Sequence, residues 1–245
     1  MSELSDLTKR LHSKLDLDKA SCSRAALDLT RPEIAAADKK AFLEALHQKG
    51  ESVEEVTAFA TVFRDLATDP QLSDVAPGAL DIVGTGGSGS LGFNISSVTA
   101  FIVAASGTPV LKHGNRAITS QSGSADFLGQ HGIRMDTDPA LLRRAIEELN
   151  FCFFFAPAFH PAFKEIMPVR KEMAAEGKRS IFNILGPLIN PARPAHQLLG
   201  VFSTDWVGPL ANALHQLGLR RGFAVSCELS SGGNMDEFTT AGTNH

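Results

Sequence analysis

Ala79-Leu-Asp-Ile-Val83 and Gly84-Thr-Gly-Gly-Ser-Gly89 are consecutive segments that decide the fold class of this 245-residue chain. The first is an apolar run with the length of a buried strand, and the second is a glycine-rich turn. Downstream, strand-like apolar runs at residues 108–111, 151–156, 197–202 and 223–227 alternate with helical patterns over residues 98–106, from Pro139 onward, and through 210–217. Alternation of this kind predicts an α/β fold with a mostly parallel sheet covered by helices.

The first 70 or so residues predict helices only. Ser52-Val-Glu-Glu55 is a capping box, in which serine and glutamate satisfy unpaired amides at a helix start. Apolar residues recur behind it at helical spacing, and a similar stripe upstream ends near Gly50. Residues 68–78 are polar with two prolines and predict a linker, while residues 161–176 predict one further helix.

Composition and charge exclude several classes of protein. Lys and Arg number 23 against 27 Asp and Glu, a net charge of −4 that argues against a nucleic-acid partner. The three cysteines, Cys22, Cys152 and Cys227, are too widely spaced for a metal knuckle or a redox pair. The start of the chain has no apolar signal-peptide region, and the apolar runs are too short to span a bilayer. These features predict a soluble, cytoplasmic protein without a membrane partner.

The glycine-rich turn satisfies the GxGxxG pattern, but two familiar interpretations of it fail. A dinucleotide fold needs an acidic residue about 20 positions further on, and no Asp or Glu occurs between Ile82 and Ala125. A P-loop needs Lys-Ser or Lys-Thr after the last glycine, and neither follows Gly89.

The acid-free stretch itself predicts an anion site. Glycine turns, helix N-termini and nearby cations bind phosphates, and residues 84–107 hold six glycines. Strand 108–111 is followed by Lys112, His113, Asn115 and Arg116, and then by Ser120, Ser122 and Ser124. Because carboxyl ends of parallel strands meet at one edge, both loops should face one ligand. The alternative is that the glycines serve only tight strand-to-helix packing.

Three further positions have both a functional and an ordinary interpretation. Asp236-Glu237 follows a strand and a glycine loop and can coordinate Mg²⁺, although such pairs are usually solvated surface features. Arg170 can pair with a carboxylate, or it is a surface arginine. His160 can line a wall that binds an aromatic ligand, or it is a structural histidine.

These residues belong to a set of motifs whose order and spacing resemble those of the anthranilate phosphoribosyltransferase family. The likeness extends over nearly the whole chain. Its motifs are Gly84-Thr-Gly-Gly-x-Gly89, Phe93-Asn-Ile-Ser96, Lys112-His-Gly-Asn-Arg116, Ser122-Gly-Ser-Ala-Asp126, Phe155-Ala-Pro157, His160-Pro-Ala-Phe-Lys164, Pro168-Val-Arg170, Ile181-Phe-Asn-Ile-Leu-Gly-Pro-Leu188, Asn190-Pro191 and Asp236-Glu237.

The resemblance implies an enzyme of tryptophan biosynthesis. It would transfer the phosphoribosyl group of phosphoribosyl pyrophosphate to anthranilate with Mg²⁺ as cofactor, and it would be a homodimer packed through its helical domains. The implied fold is the nucleoside phosphorylase/phosphoribosyltransferase-like one. Residues 1–72 and 161–191 would form a small helical domain, and residues 77–160 and 192–245 a larger α/β domain that binds phosphoribosyl pyrophosphate.

The resemblance also implies roles for individual residues. Those expected to bind phosphoribosyl pyrophosphate are Gly84, Thr85, Gly86, Gly87, Ser88, Asn94, Ile95, Ser96, Lys112, His113, Gly114, Asn115 and Ser124. Those expected to bind anthranilate are Gly84, His113, Asn115, His160 and Arg170, with Arg170 on the carboxylate. Ser96, Asp236 and Glu237 are expected to hold Mg²⁺. No single acid or base is assigned, because the chemistry mainly needs alignment and stabilisation of the leaving group by Lys112 and the metal ligands.

Three features depart from the family pattern. Ser88 stands where an aspartate is usual, and Gly92 stands where a threonine is usual. Family chains continue well beyond the Asp-Glu pair, so the α/β domain is expected to be truncated at its C-terminus, and the chain to be a fragment, a cleaved product or a diverged relative.

Two alternative functions remain from the residues. One is a related transferase or nucleoside phosphorylase with another nucleophile, although Lys112-His-Gly-Asn-Arg116 argues against a pyrimidine nucleoside phosphorylase. The other is a non-catalytic relative that binds nucleic acid or protein, which the retained glycine turn and the net charge disfavour.

Overall fold

The structure of the chain is a computed structural model that describes residues 3–86, 94–117 and 122–245. The helices are α1 (Glu3–His12), α2 (Lys19–Leu29), α3 (Ala36–Lys49), α4 (Val53–Asp65), α5 (Ile95–Ala105), α6 (Ser124–Gln130), α7 (Pro139–Leu149), α8 (Ala156–Phe159), α9 (Met167–Ala175), α10 (Phe182–Leu185) and α11 (Val207–Gln216). The strands are β1 (Leu80–Gly84), β2 (Val110–Gly114), β3 (Phe151–Phe155), β4 (His196–Gly200), β5 (Arg221–Val225), β6 (Cys227–Leu229), β7 (Asn234–Met235) and β8 (Gly242–Asn244). No helix in these described ranges is long and apolar enough to cross a membrane.

The chain divides into two compact units. One consists of the residues up to Ala67 together with His160–Ile189, and the other consists of Thr68–Phe159 together with Asn190–His245. Residues 68–72 and 190–191 were predicted in the helical domain but belong to the second unit. His160 was predicted in the α/β domain but belongs to the first unit.

The first unit is helical. The predicted capping box starts α4: Ser52 Oγ accepts from the amide of Glu55, and the Glu55 carboxylate accepts from the amide of Ser52. Four buried rings and the partly buried Phe163 form one aromatic cluster, made of Phe42, Phe59, Phe63, Phe163 and Phe182. Burial of such large rings supplies much of the stabilisation of a small helical unit.

The second unit is built on a parallel five-stranded sheet with the order β3-β2-β1-β4-β5. Because successive strand residues point to opposite faces, its core divides in two. Leu111 and Phe154 pack with α7 on one face, and Val110 and Phe153 pack with α5 and α6 on the other. The predicted α/β class with a mostly parallel sheet is therefore confirmed.

Several predicted element bounds are wrong by a few residues, and some have a clear physical reason. The helix predicted over 161–176 is a 3₁₀ turn, Pro161–Glu165, followed by α9, because Pro168 lacks an N–H and fits only a first helical turn. The expected linker at 68–78 contributes Leu72 and Ala76 to the core of the second unit. The strand predicted over 223–227 ends at Val225, and Cys227 begins a small antiparallel sheet of order β7-β6-β8.

Candidate functional site

The carboxyl ends of β1, β2 and β4 lie along one edge of the sheet and carry the sequence-predicted glycines. Gly84 pairs in register with Gly200, and Gly114 pairs with Phe155. The Thr85 amide donates to the Gly200 carbonyl at 2.9 Å, and Thr85 Oγ1 accepts from the Phe202 amide at 3.0 Å. The start of the glycine turn, Gly84 to Gly86, is thus fixed over β4. Gly87, Ser88, Gly89, Gly92, Phe93 and Ser120 lie outside the described residues.

Asp236 lies against this edge, between the ends of β1 and β4. A Cβ on Gly84 would lie 3.1 Å from Asp236 Oδ2, and a Cβ on Gly200 would lie 1.9 Å from the Asp236 carbonyl oxygen. Only glycine leaves room for such a close approach. The gap between β1 and β4 is also where the strand order reverses, which is the usual place for ligands in open α/β sheets.

Glu237 is partly buried beside Asp236. Burial and the neighbouring Asp236 charge raise the pKa of the Glu237 carboxyl to about 7, while the Lys112 charge opposes that rise. Two crowded carboxylates next to a glycine-rich turn are chemically suitable for Mg²⁺, which takes one or two carboxylates and completes its octahedron with phosphates and water. In the part of the chain that the structure describes, no three His, Cys, Asp or Glu side chains cluster to hold a metal by themselves.

Helix α5 begins three residues earlier than predicted, and Asn94 is its N-cap residue. Its carbonyl accepts from the amides of Ser97 and Val98, but its side chain does not cap the helix. Asn94 Nδ2 instead donates to Ser122 Oγ at 3.2 Å. The Asn94 side-chain amide therefore links α5 to the loop after β2.

Lys112 is fully buried on the α5 side of the sheet. Its ammonium donates to the Ile82 carbonyl and, at 3.2 Å, to Ser96 Oγ, so two of the predicted ligand-binding residues contact each other. Burial lowers the pKa of Lys112 to about 8, and the charges of Asp81 and Glu237 oppose that shift. The lysine therefore puts positive charge directly under the carboxyl edge.

Two buried polar residues join β1 and β2 beneath that edge. Asp81 Oδ1 accepts from the His113 amide at 3.3 Å, and Asp81 Oδ2 accepts from Asn190 Nδ2 at 2.9 Å. Asn190 Nδ2 also donates to the Leu111 carbonyl at 2.7 Å. Burial raises the pKa of Asp81 to about 6, although Lys112 and these hydrogen bonds oppose the rise. Asp81 was not among the predicted site residues, although an acidic residue within an apolar strand indicates a buried structural or functional role.

The loop after β2 brings Gly114, Asn115 and Ser124 together. A Cβ on Gly114 would lie 3.1 Å from the Cβ of Ser124, and the Asn115 carbonyl accepts from the amide of Ala125. His113 is buried and, one residue after Lys112 on the strand, points to the opposite face of the sheet. The predicted Lys-His-Gly-Asn segment therefore serves both faces.

His160 and Arg170 lie in the helical unit, on the same aromatic cluster. The His160 ring stacks on Phe163 with centroids 5.3 Å apart, and the Arg170 guanidinium lies 5.2 Å from the centroid of Phe182. Burial lowers the pKa of Arg170 to about 10. Among the described residues no carboxylate forms an ion pair with this guanidinium, whose one polar contact is with Met167 Sδ. A cation buried without an acidic partner is costly, so an anionic group placed beside it would stabilise it.

Both units correspond to a known class of protein, the glycosyl transferases with a helical bundle and an α/β domain. Residues 5–67 match the family described as Glycosyl transferase family, helical bundle domain. Residues 76–245 match the Glycosyl transferase family, a/b domain.

Individual relatives narrow the class. The chain is 41% identical over 242 residues to the anthranilate phosphoribosyltransferase of Bradyrhizobium sp., covering 99% of this chain and 69% of the relative. It is 45% identical over 244 residues to the enzyme of that name from Parvibaculum lavamentivorans, covering 99% and 68%. The crystal structure of the Thermus thermophilus anthranilate phosphoribosyltransferase is similar with a TM-score of 0.78 and 38% identity, covering 90% of this chain and 64% of that one.

The chain belongs to the anthranilate phosphoribosyltransferase family. It spans 56–69% of the length of the curated relatives that it matches.

Proposed function

We propose that this chain transfers the phosphoribosyl group of phosphoribosyl pyrophosphate to the amine of anthranilate, a step of tryptophan biosynthesis. The bond from the anomeric carbon to pyrophosphate breaks, the amine nitrogen bonds to that carbon, and the nitrogen loses a proton. One observation carries the proposal: Asp236 is held against Gly84 and Gly200, so an acidic pair and the glycine turn meet at the reversal point of the sheet.

The phosphoribosyl donor is assigned to the α/β unit. The ends of β1 and β2, the start of α5 and the serine loop supply amides, hydroxyls and the Lys112 ammonium, which suit several phosphates. Asp236 and Glu237 would hold Mg²⁺, which when bound neutralises the charge of the pyrophosphate leaving group. The Saccharomyces cerevisiae anthranilate phosphoribosyltransferase in complex with phosphoribosyl pyrophosphate and Mg supports this assignment, with a TM-score of 0.80 and 27% identity over 96% of this chain and 67% of that one.

Anthranilate is assigned to His160 and Arg170 of the helical unit. The Arg170 guanidinium, which has no carboxylate partner among the described residues, suits the anthranilate carboxylate. The stacked rings of His160 and Phe163 provide an aromatic surface. An aromatic amine is neutral at pH 7, so it can attack without a strong base, and the site needs to align it rather than activate it. The homodimer stays a prediction from the family resemblance, and the cytoplasmic location stays a prediction from the sequence features.

The test follows the loss of anthranilate fluorescence in the presence of phosphoribosyl pyrophosphate and Mg²⁺. Turnover that stops on adding a chelator and returns with excess Mg²⁺ is the expected result. Asp236→Asn should lower kcat/KM for the donor at least a hundredfold, whereas Glu228→Gln, an exposed acid of the same segment, should change it less than twofold. No turnover by the wild-type chain at micromolar enzyme would contradict the proposal.

A further inference from the structure

The loop after β2 returns on itself so that its two arms touch backbone to backbone. The Ala125 amide donates to the Asn115 carbonyl at 3.1 Å. A Cβ on Gly123 would lie 2.5 Å from the Ala117 nitrogen, so only a residue without a side chain allows this approach. The arms carry Asn115 on one side and Ser122 and Ser124 on the other.

One carboxylate, that of Asp126, binds both arms. Its Oδ2 accepts from the Ala117 amide at 2.8 Å and from the Gly123 amide at 3.0 Å, and its Oδ1 accepts from the Arg116 guanidinium at 3.4 Å. The two amides lower the pKa of Asp126, so the group is fully ionised at neutral pH. Charge-assisted hydrogen bonds to backbone amides are among the stronger ones in proteins.

The groups that Asp126 binds are sequence neighbours of two residues assigned to the donor: Arg116 and Ala117 follow Asn115, and Gly123 precedes Ser124. Ser122 Oγ accepts from Asn94 Nδ2, which ties the loop to the start of α5, and Ser124 lies against Gly114 at the end of β2. The Arg116 guanidinium lies 5.8 Å from the centroid of Phe155 at the end of β3. Through the loop, the Asp126 carboxylate is thus connected to the ends of β2 and β3 and to the start of α5. Its own oxygens accept from groups of the protein.

We infer that Asp126 is a positioning residue for the phosphoribosyl donor: it holds the Asn115 and Ser124 arms of the loop at the spacing that the donor requires. This inference rests on the proposed function. Asp126 acts through the backbone of the loop, so its loss should weaken donor binding more than it slows the chemical step.

A matched control exists in the same unit. The Asp136 carboxylate accepts from the amides of Thr137 and Asp138 at 2.8 and 3.0 Å and pairs with Arg134 at 3.3 Å. Like Asp126, Asp136 accepts from two amides and pairs with one arginine, but its partners all lie within two residues of it, in the turn before α7, on residues that have no part in the proposed site. A general effect of removing an amide-binding aspartate will therefore appear equally in Asp136→Asn.

The experiment compares Asp126→Asn, Asp136→Asn and the wild-type chain by steady-state kinetics and by calorimetry with phosphoribosyl pyrophosphate and Mg²⁺. Asp126→Asn should raise the donor KM and Kd at least tenfold with less than a threefold change in kcat, while Asp136→Asn leaves all three within twofold. Asp126→Glu, which keeps the charge on a longer arm, should fall between them, and it replaces the Asn variant if circular dichroism shows that variant to be unfolded.

Equal effects of Asp126→Asn and Asp136→Asn, or a fall in kcat alone, would overturn the inference. A wild-type chain that binds the donor without turnover would contradict the proposed reaction and leave the binding comparison decisive for Asp126. A wild-type chain that neither binds the donor nor turns over would overturn both.

Discussion

Asp81 and Asn190 are joined by a buried 2.9 Å hydrogen bond across 109 residues of chain. The ladder between β1 and β2 pairs Leu80 with Val110, and nearer the carboxyl edge the hydrogen bonds of Asp81 and Asn190 connect the two strands. Asn190 Oδ1 in turn accepts from the Ala192 amide. The two strands that carry the glycine turn and Lys112 are therefore held together by polar side chains, at a point where their ends must leave room for a ligand.

Asn190→Ala should destabilise the α/β unit strongly. The substitution removes a donor to a buried carboxylate and to the Leu111 carbonyl, and unsatisfied buried groups of this kind cost about 2–4 kcal/mol. Urea unfolding measures the loss, with Asn212→Ala, an exposed asparagine on α11, as the control expected within about 0.5 kcal/mol of wild type. A loss below about 1 kcal/mol for Asn190→Ala would show that water replaces the amide.

Gly200→Ala should damage the site while leaving the fold in place. Its Cβ would lie 1.9 Å from the Asp236 carbonyl oxygen, so the acidic pair must move away from Gly84. We expect the Mg²⁺-dependent donor affinity to fall at least tenfold with little change in the far-ultraviolet circular dichroism. Gly208→Ala, a helical position with nothing within 4 Å of the new Cβ, should bind the donor normally and gain up to about 1 kcal/mol of stability. Unchanged donor affinity in Gly200→Ala would show that Asp236 does not belong to the donor site.

His160 should make stability depend on pH below neutrality. Burial lowers the pKa of His160 from 6.5 to about 4, so between these values the unfolded chain binds more protons than the folded one. The unfolding free energy must then fall as the pH falls through this window, by about 2 kcal/mol between pH 7.5 and pH 5 for this group. Urea unfolding of wild type relative to His160→Gln isolates that slope, and His215→Gln, an exposed position, should keep the wild-type slope. Parallel pH profiles for wild type and His160→Gln would contradict this prediction.

Local sequence signals predicted much of the fold because they act within one turn or one strand. The Ser52–Glu55 capping box and the Asp138–Pro139 helix start are both present, since each depends only on neighbouring residues. The strand order could not be predicted in this way, because an apolar pattern does not identify a strand's neighbours. Phe223 illustrates this point: it was predicted in a strand, and that strand, β5, lies at the edge of the sheet, where Phe223 is 60% exposed.

The sequence predicted the residues that would bind the ligands, but it did not predict the residues that hold them in place. Lys112 and the acidic pair follow predicted strands, so their residue types and positions predict a phosphate site with a metal, whereas the role of Ser96 was implied by the family resemblance. Asn190 acts through a hydrogen bond to the Leu111 carbonyl, 79 residues away, and Asp126 acts through hydrogen bonds to both arms of a loop. The sequence patterns identify neither the long-range partner nor the way the loop folds back. These supports become visible only when the chain is folded.

Arg170→Met should separate stability from function. The guanidinium is partly buried against Phe182 without an acid partner among the described residues, so its replacement by an apolar side chain of similar length should cost little stability or increase it. The same change removes the proposed partner of the anthranilate carboxylate, and hydrogen bonds to charged groups contribute about 1.5–3 kcal/mol. The anthranilate KM should therefore rise about ten- to a hundredfold while the donor KM changes less than threefold, as steady-state kinetics with each substrate varied will measure. Lys171→Met, at the next and exposed position of α9, is the control and should change neither constant. Equal increases in both KM values for Arg170→Met would show that the arginine supports the helical unit as a whole rather than the carboxylate of anthranilate.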